Sequence, residues 1–206
     1  ANLGFISNSN GIDNEIEILS AQDLATQAVI DMKCYVNYYH KGTFKDQLVY
    51  KEQEVNVDLD LAHLKKLNAP IKLKIEKDGN QYLVTGSYYI PVDAFSSEKE
   101  PVKIEKTLAS LPASINTRVG TLSFTKNGNF KLKDGESLKA IIVSPDMAAS
   151  GYAKALAVSQ TSKTTTIAEL VLKDEDPQRS IDYLNTLIKV YNRQANEDKN
   201  EISFRT

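Results

Sequence analysis

The order of apolar and polar residues changes from a helical period near the N-terminus to an alternating period in the middle, and then returns to a helical period. Ile12, Ile16 and Leu19 recur at helical spacing. The segment SAQD at 20–23 resembles a capping box, which predicts that a second helix starts there and runs to Met32. Two short helices and one kinked helix fit this pattern equally well. The opening ANLGFISNSNG is rich in Asn, Ser and Gly and is typical of a loop.

The middle of the chain alternates with a period of two, which predicts β-strands. Aromatic and β-branched residues on both sides of Gly42 indicate a strand pair. In IKLKIEKDGNQYLVTG, apolar residues alternate with lysines up to a turn at Asp78-Gly79, and a return strand follows. Asn127-Gly128 suggests a second such turn, with Phe130 and Leu132 on the strand after it.

A helix start and two strands precede the last segment. Ser144 as cap and Pro145 at the first position predict a helix. LAVSQTSKTTTIAELVLKD predicts two strands, at 156–160 and 165–173.

The last helix has a clear start and no stop signal. Asp176 is a good cap, and Pro177 suits the first helical position because its missing N–H costs nothing there. Neither Gly nor Pro follows before Thr206, so we expect the helix to continue to the end. Its predicted apolar stripe is Ile181, Leu184, Leu187, Ile188 and Tyr191.

Together these elements predict an α+β fold. Its base is formed by 1–67 and 144–206, with the long helix starting at 177, and an all-β module is inserted at 68–143. Because the chain starts without Met and ends inside a predicted helix, we expect it to be part of a longer protein.

Charge and composition exclude some classes of function. The 25 basic and 27 acidic residues give a net charge of -2 without a clustered basic face, which argues against nucleic acid as a partner. No apolar run of about 18 residues is present, so we do not expect this segment to insert into a membrane. The single cysteine, Cys34, excludes an intramolecular disulfide and is predicted to be a small buried hydrophobe.

The motifs of common catalytic sites are missing. TSKTTT lacks the glycines of a phosphate-binding loop, and GxSxG is absent. His40 and His63 have no metal-ligand spacing and are predicted to be surface residues. The sequence therefore predicts no catalytic residue, no metal ligand and no cofactor site.

The tyrosines allow two interpretations. Tyr82, Tyr88 and Tyr89 are candidate glycan contacts of a glycan-binding β module, which is the alternative function that we consider. Adjacent tyrosines on a strand also place one ring in the core and one at the rim, and this interpretation is favoured.

The order of segments resembles a known family. IDNEIEILSAQDLATQAVIDM, YVNYYHKG and LAVSQTSKTTTIAELVLKDEDPQRSIDYLNTLIKVYNRQANEDKNE closely resemble the periplasmic region of polysaccharide co-polymerases, the Wzz/Wzc chain-length-determinant family. More narrowly, they look like the Bacteroidetes-type capsular polysaccharide tyrosine autokinases. The most specific piece is the strand, acidic turn, D-P-x-R and helix at 165–200. The strand that follows the first membrane helix in this family is missing here, so the base sheet is expected to lack a strand.

The resemblance implies a function without chemistry in this segment. Such proteins form homo-oligomeric rings in the inner membrane, and they act with a polysaccharide polymerase and an outer-membrane export channel to set chain length. Their cytoplasmic autokinase has no counterpart in this segment. A charged helix beyond its own core often pairs with a neighbour, so we expect subunit contacts on this helix. The candidate residues are Arg179, Arg193, Glu197, Asp198 and Lys199.

Overall fold

A computed structural model describes residues 2–7, 12–128, 130–162 and 166–204. The fold is α+β, and the described residues form five helices and three antiparallel sheets. They divide into two compact units, of which unit 1 comprises Ala1–Cys34 with Asp146–Thr206 and unit 2 comprises Tyr35–Pro145.

The helices and strands have the following bounds. The helices are α1 (Ile12–Leu19), α2 (Gln22–Met32), α3 (Leu61–Leu64), α4 (Pro145–Ala155) and α5 (Pro177–Phe204). The strands are β1 (Asn2–Ser7), β2 (Val36–His40), β3 (Gln47–Val49), β4 (Val55–Asp58), β5 (Ile71–Asp78), β6 (Gln81–Tyr88), β7 (Val102–Leu108), β8 (Ala113–Thr117), β9 (Gly120–Lys126), β10 (Ser137–Ile142), β11 (Leu156–Gln160) and β12 (Ile167–Leu172).

Unit 1 contains a three-stranded antiparallel sheet in the order β1-β12-β11. The loop predicted at 1–11 is wrong for residues 2–7, because β1 pairs with β12 along its whole length, while residues 1 and 8–11 lie outside the described part of the chain. This sheet therefore has β1 as an edge strand that the sequence did not predict. A side chain at Gly4 would contact Ile188 and Leu184 of α5, so β1 lies close against that helix. Backbone pairing and this close approach stabilise a strand whose composition alone is typical of a loop.

Two separate helices, rather than one kinked helix, precede unit 2. The predicted capping box is wrong, because Ala21 occupies the N-cap position of α2 and makes no side-chain hydrogen bond there. The Ser20 hydroxyl instead donates to the carbonyl of Ile16 at 2.7 Å. Because α2 begins at Gln22, Ser20 lies one residue before the N-cap position.

Helix α5 begins where the sequence predicts. The Asp176 carboxylate accepts a hydrogen bond from the Arg179 N–H at 2.9 Å, and Pro177 is the first helical residue. The helix has 28 residues, about 42 Å at its usual rise, and it continues to Phe204 without a stop.

The buried face of α5 differs from the predicted stripe. Ile181 is 40% exposed, whereas Tyr183 and Val190, which the stripe omitted, are fully buried. Leu184 and Leu187 are buried as predicted. The core-facing stripe is therefore rotated toward Tyr183, because α5 packs against both β1 and α2.

Unit 2 contains a six-stranded sheet in the order β3-β2-β10-β5-β6-β7 and a three-stranded sheet in the order β4-β9-β8. We assigned 35–67 to the base, but β2 pairs with β10 and β4 pairs with β9. Unit 2 therefore begins at Tyr35, and its sheets include strands on both sides of the predicted boundary at 68. At the other end, the division after Pro145 lies two residues beyond the predicted one.

The two predicted turns in this region have different outcomes. The hairpin at Asp78-Gly79 is confirmed, with Asp78 opposite Gln81. The strand predicted at Phe130 and Leu132 is wrong, since neither residue belongs to a strand. Leu132 is buried, and its N–H donates to the carboxylate of Glu54 at 3.1 Å. The Glu54 carboxylate therefore accepts the hydrogen bond that a carbonyl of a neighbouring strand would accept if Leu132 were in a strand.

Candidate ligand-binding groove

The six-stranded sheet of unit 2 has an apolar face and a polar face. On β5, Ile71, Leu73 and Ile75 are buried, whereas Lys72 and Lys74 between them are exposed. Successive side chains on a strand point to opposite faces of the sheet. The alternation in IKLKIEK therefore builds the core and aligns lysines on the opposite face.

The register brings polar residues from distant parts of the chain together on this face. Lys74 lies between Lys139 on β10 and Thr85 on β6. Lys72 is opposite Ser87 on β6. Residues opposite each other on antiparallel strands have Cβ atoms roughly 5 Å apart. Lys74 and Lys139 therefore place two positive charges side by side.

These residues line an open groove with a volume of about 590 Å³. Its charged lining residues are four lysines and one aspartate, and its serine and threonine hydroxyl groups come from two strands, β6 and β10. The charged residues are Lys41, Lys72, Lys74, Lys139 and Asp46. The hydroxyl residues are Thr85, Ser87 and Ser137, and Tyr39 contributes an aromatic ring.

Positive charge exceeds negative charge in the groove. The Lys139 ammonium lies 3.3 Å from the Asp46 carboxylate, and the Lys74 ammonium lies 3.6 Å from that of Glu76. Within the part of the chain that the structure describes, neither Lys41 nor Lys72 forms an ion pair. The groove can therefore attract an anion without first breaking an ion pair at these two lysines.

Gly86 and an exposed aromatic residue shape the surroundings of the groove. A Cβ atom at Gly86 would overlap the carbonyl oxygen of Lys72, so β5 and β6 can approach this closely only with glycine. Phe44, in the loop between Lys41 and Asp46, is 100% exposed. An apolar ring fully in water is available for contact with a ligand or partner.

The three tyrosines predicted as glycan contacts do not form an exposed row. Tyr82 and Tyr88 are 5% and 4% exposed, and Tyr89 is 36% exposed. The Tyr88 hydroxyl accepts a hydrogen bond from the Arg118 N–H at 3.0 Å. This arrangement agrees with the interpretation that an adjacent pair places one ring in the core and one at the rim. Tyr39, which we did not select, lines the groove instead.

The residues predicted as subunit contacts have different environments. Arg179 is nearly buried and donates to both carboxylate oxygens of Asp174, at 2.7 and 2.6 Å. Arg193 is half-exposed and lies 3.2 Å from Asp31, and Glu197 is exposed. The side chains of Asp198 and Lys199 lie outside the described residues. Arg179 is thus used within unit 1, while Arg193 and Glu197 remain on the surface.

Unit 1 contains a buried aromatic cluster beside Cys34. Tyr152 stacks on Tyr183 with ring centroids 4.3 Å apart, and the Arg179 guanidinium lies 5.7 Å from the Tyr152 ring centre. Cys34 is buried as predicted, and burial raises the pKa of its thiol to about 11. A thiol with this pKa is protonated at neutral pH and is a poor nucleophile.

Within the described residues, His63 and the other potential ligands do not form a metal centre. His63 lies on the surface, with its Nδ1 atom 2.6 Å from the Asp60 carboxylate. Across the described ranges, no group of three or more His, Cys, Asp or Glu side chains is placed to hold a metal ion. Nor does any helix in these ranges have the length and hydropathy needed to cross a membrane.

The lysine groove was missed at the level of sequence, although its signal was present. We used the alternation of lysines on β5 to predict a strand and did not consider the charged face that it creates. Lys139 shows the same alternation between Leu138 and Ala140. Only the pairing of β10 with β5 brings the two patterns together.

A scan against protein-family models found no match, and a search of curated proteins found no relative of this chain.

Proposed function

We propose that this chain is the periplasmic region of an inner-membrane polysaccharide co-polymerase. In this role it is a scaffold without catalysis that assembles as a homo-oligomer and regulates the chain length and export of a capsular polysaccharide or exopolysaccharide. Its partners are the polymerase and the outer-membrane export channel. The resemblance of the paired helices and of the D-P-x-R helix supports this proposal, as does the length of α5.

The observation that carries the proposal is that α5 extends past its own core. Among the residues of α5 whose burial is described, which end at Glu197, the last buried one is Val190, and the helix itself continues to Phe204. Residues 191–197 are exposed or half-buried. A helical segment of this length gains little stability from hydrogen bonds alone, so packing against another element is needed to hold it. In the proposed assembly, the neighbouring subunit supplies that packing.

The first experiment removes the coding segment for this chain from the gene in the organism that encodes it. Surface polysaccharide is then separated by gel electrophoresis. We expect the modal chain length to change or the long polymer to be lost. An unchanged length distribution would contradict the role in chain-length control.

A second experiment tests assembly on a membrane. The chain is attached through a C-terminal histidine tag to vesicles containing nickel-chelating lipid, which raises its local concentration. With Glu197→Cys, a bifunctional thiol cross-linker should give dimers on vesicles, whereas Lys126→Cys on β9 is the matched control. The same protein in solution should sediment as a monomer at micromolar concentration. Equal cross-linking at both positions, or none on vesicles, would count against α5 as the contact.

A further inference from the structure

We infer that the groove of unit 2 binds an acidic polysaccharide through the carboxylate groups on its sugars. This inference rests on the proposed function, because it names the class of polymer that such a scaffold would contact. The groove lies on the polar face of the six-stranded sheet, within one unit.

The charge of the groove selects for an anion. Four lysines and one aspartate line it, and Lys41 and Lys72 have no carboxylate partner among the described residues. Lys74 and Lys139 are opposite each other on β5 and β10, and each has an exposed carboxylate partner, so they add to the polar lining while Lys41 and Lys72 supply the uncompensated positive charge. Unit 2 also has more basic than acidic residues, although the whole chain has a net charge of -2.

The neutral lining of the groove suits a sugar. The hydroxyl groups of Thr85, Ser87 and Ser137 can each donate and accept hydrogen bonds, as the hydroxyl groups of a sugar do. Tyr39 combines an apolar ring with a hydroxyl group, and Phe44 stands fully exposed in the adjacent loop. Lysines, hydroxyl groups and an aromatic ring in one groove match a ring-shaped ligand that has both hydroxyl and carboxylate groups.

The extent of the positive face favours a polymer over a single small anion. Lys103 on β7 is exposed and lies opposite Ser87, so it extends the line of Lys72 and Ser87 beyond the groove, whereas the neighbouring line of Lys139, Lys74 and Thr85 ends at the exposed Glu105. From β10 to β7 the polar face crosses three strand spacings, about 14 Å. This is longer than one sugar ring and fits a chain with charges at regular intervals.

Phosphate-rich polymers fit the groove less well. Among the described residues that line it there is no arginine, whereas arginine forms the two-pronged contacts that favour phosphate. The lining residues come from strands and a loop, so the amides of a helix N-terminus do not contribute. The lining therefore favours a carboxylated sugar over a nucleic acid or polyphosphate.

The test uses three labelled polymers of similar length and the intact chain. Fluorescence anisotropy measures binding of oligogalacturonate, which carries a carboxylate on each sugar, of neutral dextran oligomers, and of polyphosphate. We expect oligogalacturonate to bind, dextran not to bind, and polyphosphate to bind more weakly than oligogalacturonate. Affinity for oligogalacturonate should fall as sodium chloride increases, because exposed charges are screened.

Matched variants locate the site. Lys72→Gln combined with Lys74→Gln should weaken oligogalacturonate binding about tenfold, since two exposed ion pairs are lost. Lys65→Gln combined with Lys66→Gln removes the same charge from exposed positions next to α3 and should change affinity less than about twofold. Circular dichroism verifies that both variants are folded. Tyr39→Leu should weaken binding without changing its salt dependence.

Three outcomes would overturn the inference: no binding of oligogalacturonate, equal loss in both lysine double variants, or tighter binding of polyphosphate. These outcomes are separate from failure of the proposed function. If deletion of this region changes polysaccharide length but oligogalacturonate does not bind, the scaffold stands and the groove assignment is wrong. If oligogalacturonate binds as expected but deletion leaves the length unchanged, the groove stands as a glycan site and the co-polymerase role is wrong.

Discussion

Arg179 and Arg193 lie on the same helix but have different surroundings. Arg179 is largely removed from water, makes a two-pronged contact with Asp174, and lies over the ring of Tyr152. Arg193 is half-exposed and makes a single contact with Asp31 at 3.2 Å. The two residues therefore allow a direct comparison of a desolvated ion pair with an exposed one.

We expect Arg179→Ala to lower the free energy of unfolding by about 3 kcal/mol, because it leaves the Asp174 carboxylate without its partner in a poorly hydrated site. Arg193→Ala is the matched control and should cost about 0.5 kcal/mol, as is usual for exposed pairs. Urea denaturation of both variants measures the difference. Similar losses would show that the contact between Arg179 and Asp174 contributes little.

Burial of Cys34 makes the stability of the chain depend on pH in the alkaline range. The thiol pKa is 9.0 when unfolded and about 11 when folded. As the pH rises above 9, the unfolded state loses the proton first and is favoured, so stability falls until the folded thiol also ionises near 11. Below pH 9 the contribution is fully present.

Between pH 8.5 and 10.5, we expect this group to remove about 2 kcal/mol of stability, since each pKa unit corresponds to roughly 1.4 kcal/mol. Cys34→Ala lacks the group and should lose correspondingly less over the same interval. Urea denaturation at the two pH values gives both differences. Equal losses in the two proteins would mean that burial of the thiol has no such effect.

At the scale of elements, the start of α5 depends on neighbouring residues, whereas its buried face depends on distant segments that pack against it. Its cap is formed by Asp176, whose carboxylate accepts from the Arg179 N–H. We expect Asp176→Ala to cost about 1 kcal/mol, because an amide in the first turn loses its acceptor. Asp176→Asn keeps an oxygen at the same place and should cost much less. Thermal unfolding of both variants tests this, and equal effects would argue against capping as the cause.

The rotated face of α5 gives another element-scale test. Leu187 is fully buried and Ile181 is 40% exposed, although the predicted stripe included both. We expect Leu187→Ala to destabilise by about 3 kcal/mol, through lost apolar contact and the cavity left behind. Ile181→Ala should cost less than about 1 kcal/mol, because its side chain already contacts water. Chemical denaturation should rank them in this order; the reverse order would support the original stripe.

At the scale of the whole molecule, unit 2 has its own sheets and its own core. Its first strand, β2, pairs with its last strand, β10. Beyond that pairing, the Val143 N–H donates to the Tyr35 carbonyl at 3.0 Å. Two paired ends allow a segment to fold without the rest of the chain. We therefore expect the segment that begins at residue 35 to fold independently.

We expect 35–145, expressed alone, to unfold in a single cooperative transition when followed by circular dichroism. The shorter segment 68–145 is the matched control. It lacks β2 and β4, the partners of β10 and β9, and should not fold cooperatively. Cooperative unfolding of 68–145 would show that the boundary predicted at 68 is sufficient.

The sequence by itself determined the features that depend on neighbouring residues. The cap at Asp176, the start at Pro177 and the hairpin at Asp78-Gly79 each depend on a few consecutive side chains and backbone angles. The uninterrupted length of α5 also follows from the absence of a local stop signal. Local preferences of this kind act before any distant contact forms, so they can be predicted from a short stretch.

Only the tertiary structure decided which distant segments meet. Residues 2–7 form a strand because β12 offers hydrogen-bond partners, and Tyr183 is buried because two elements pack on α5. The lysine groove likewise exists because β10, at the end of unit 2, inserts between β2 and β5. Sheet order depends on contacts between residues far apart in sequence, and no local pattern specifies which partner a strand selects.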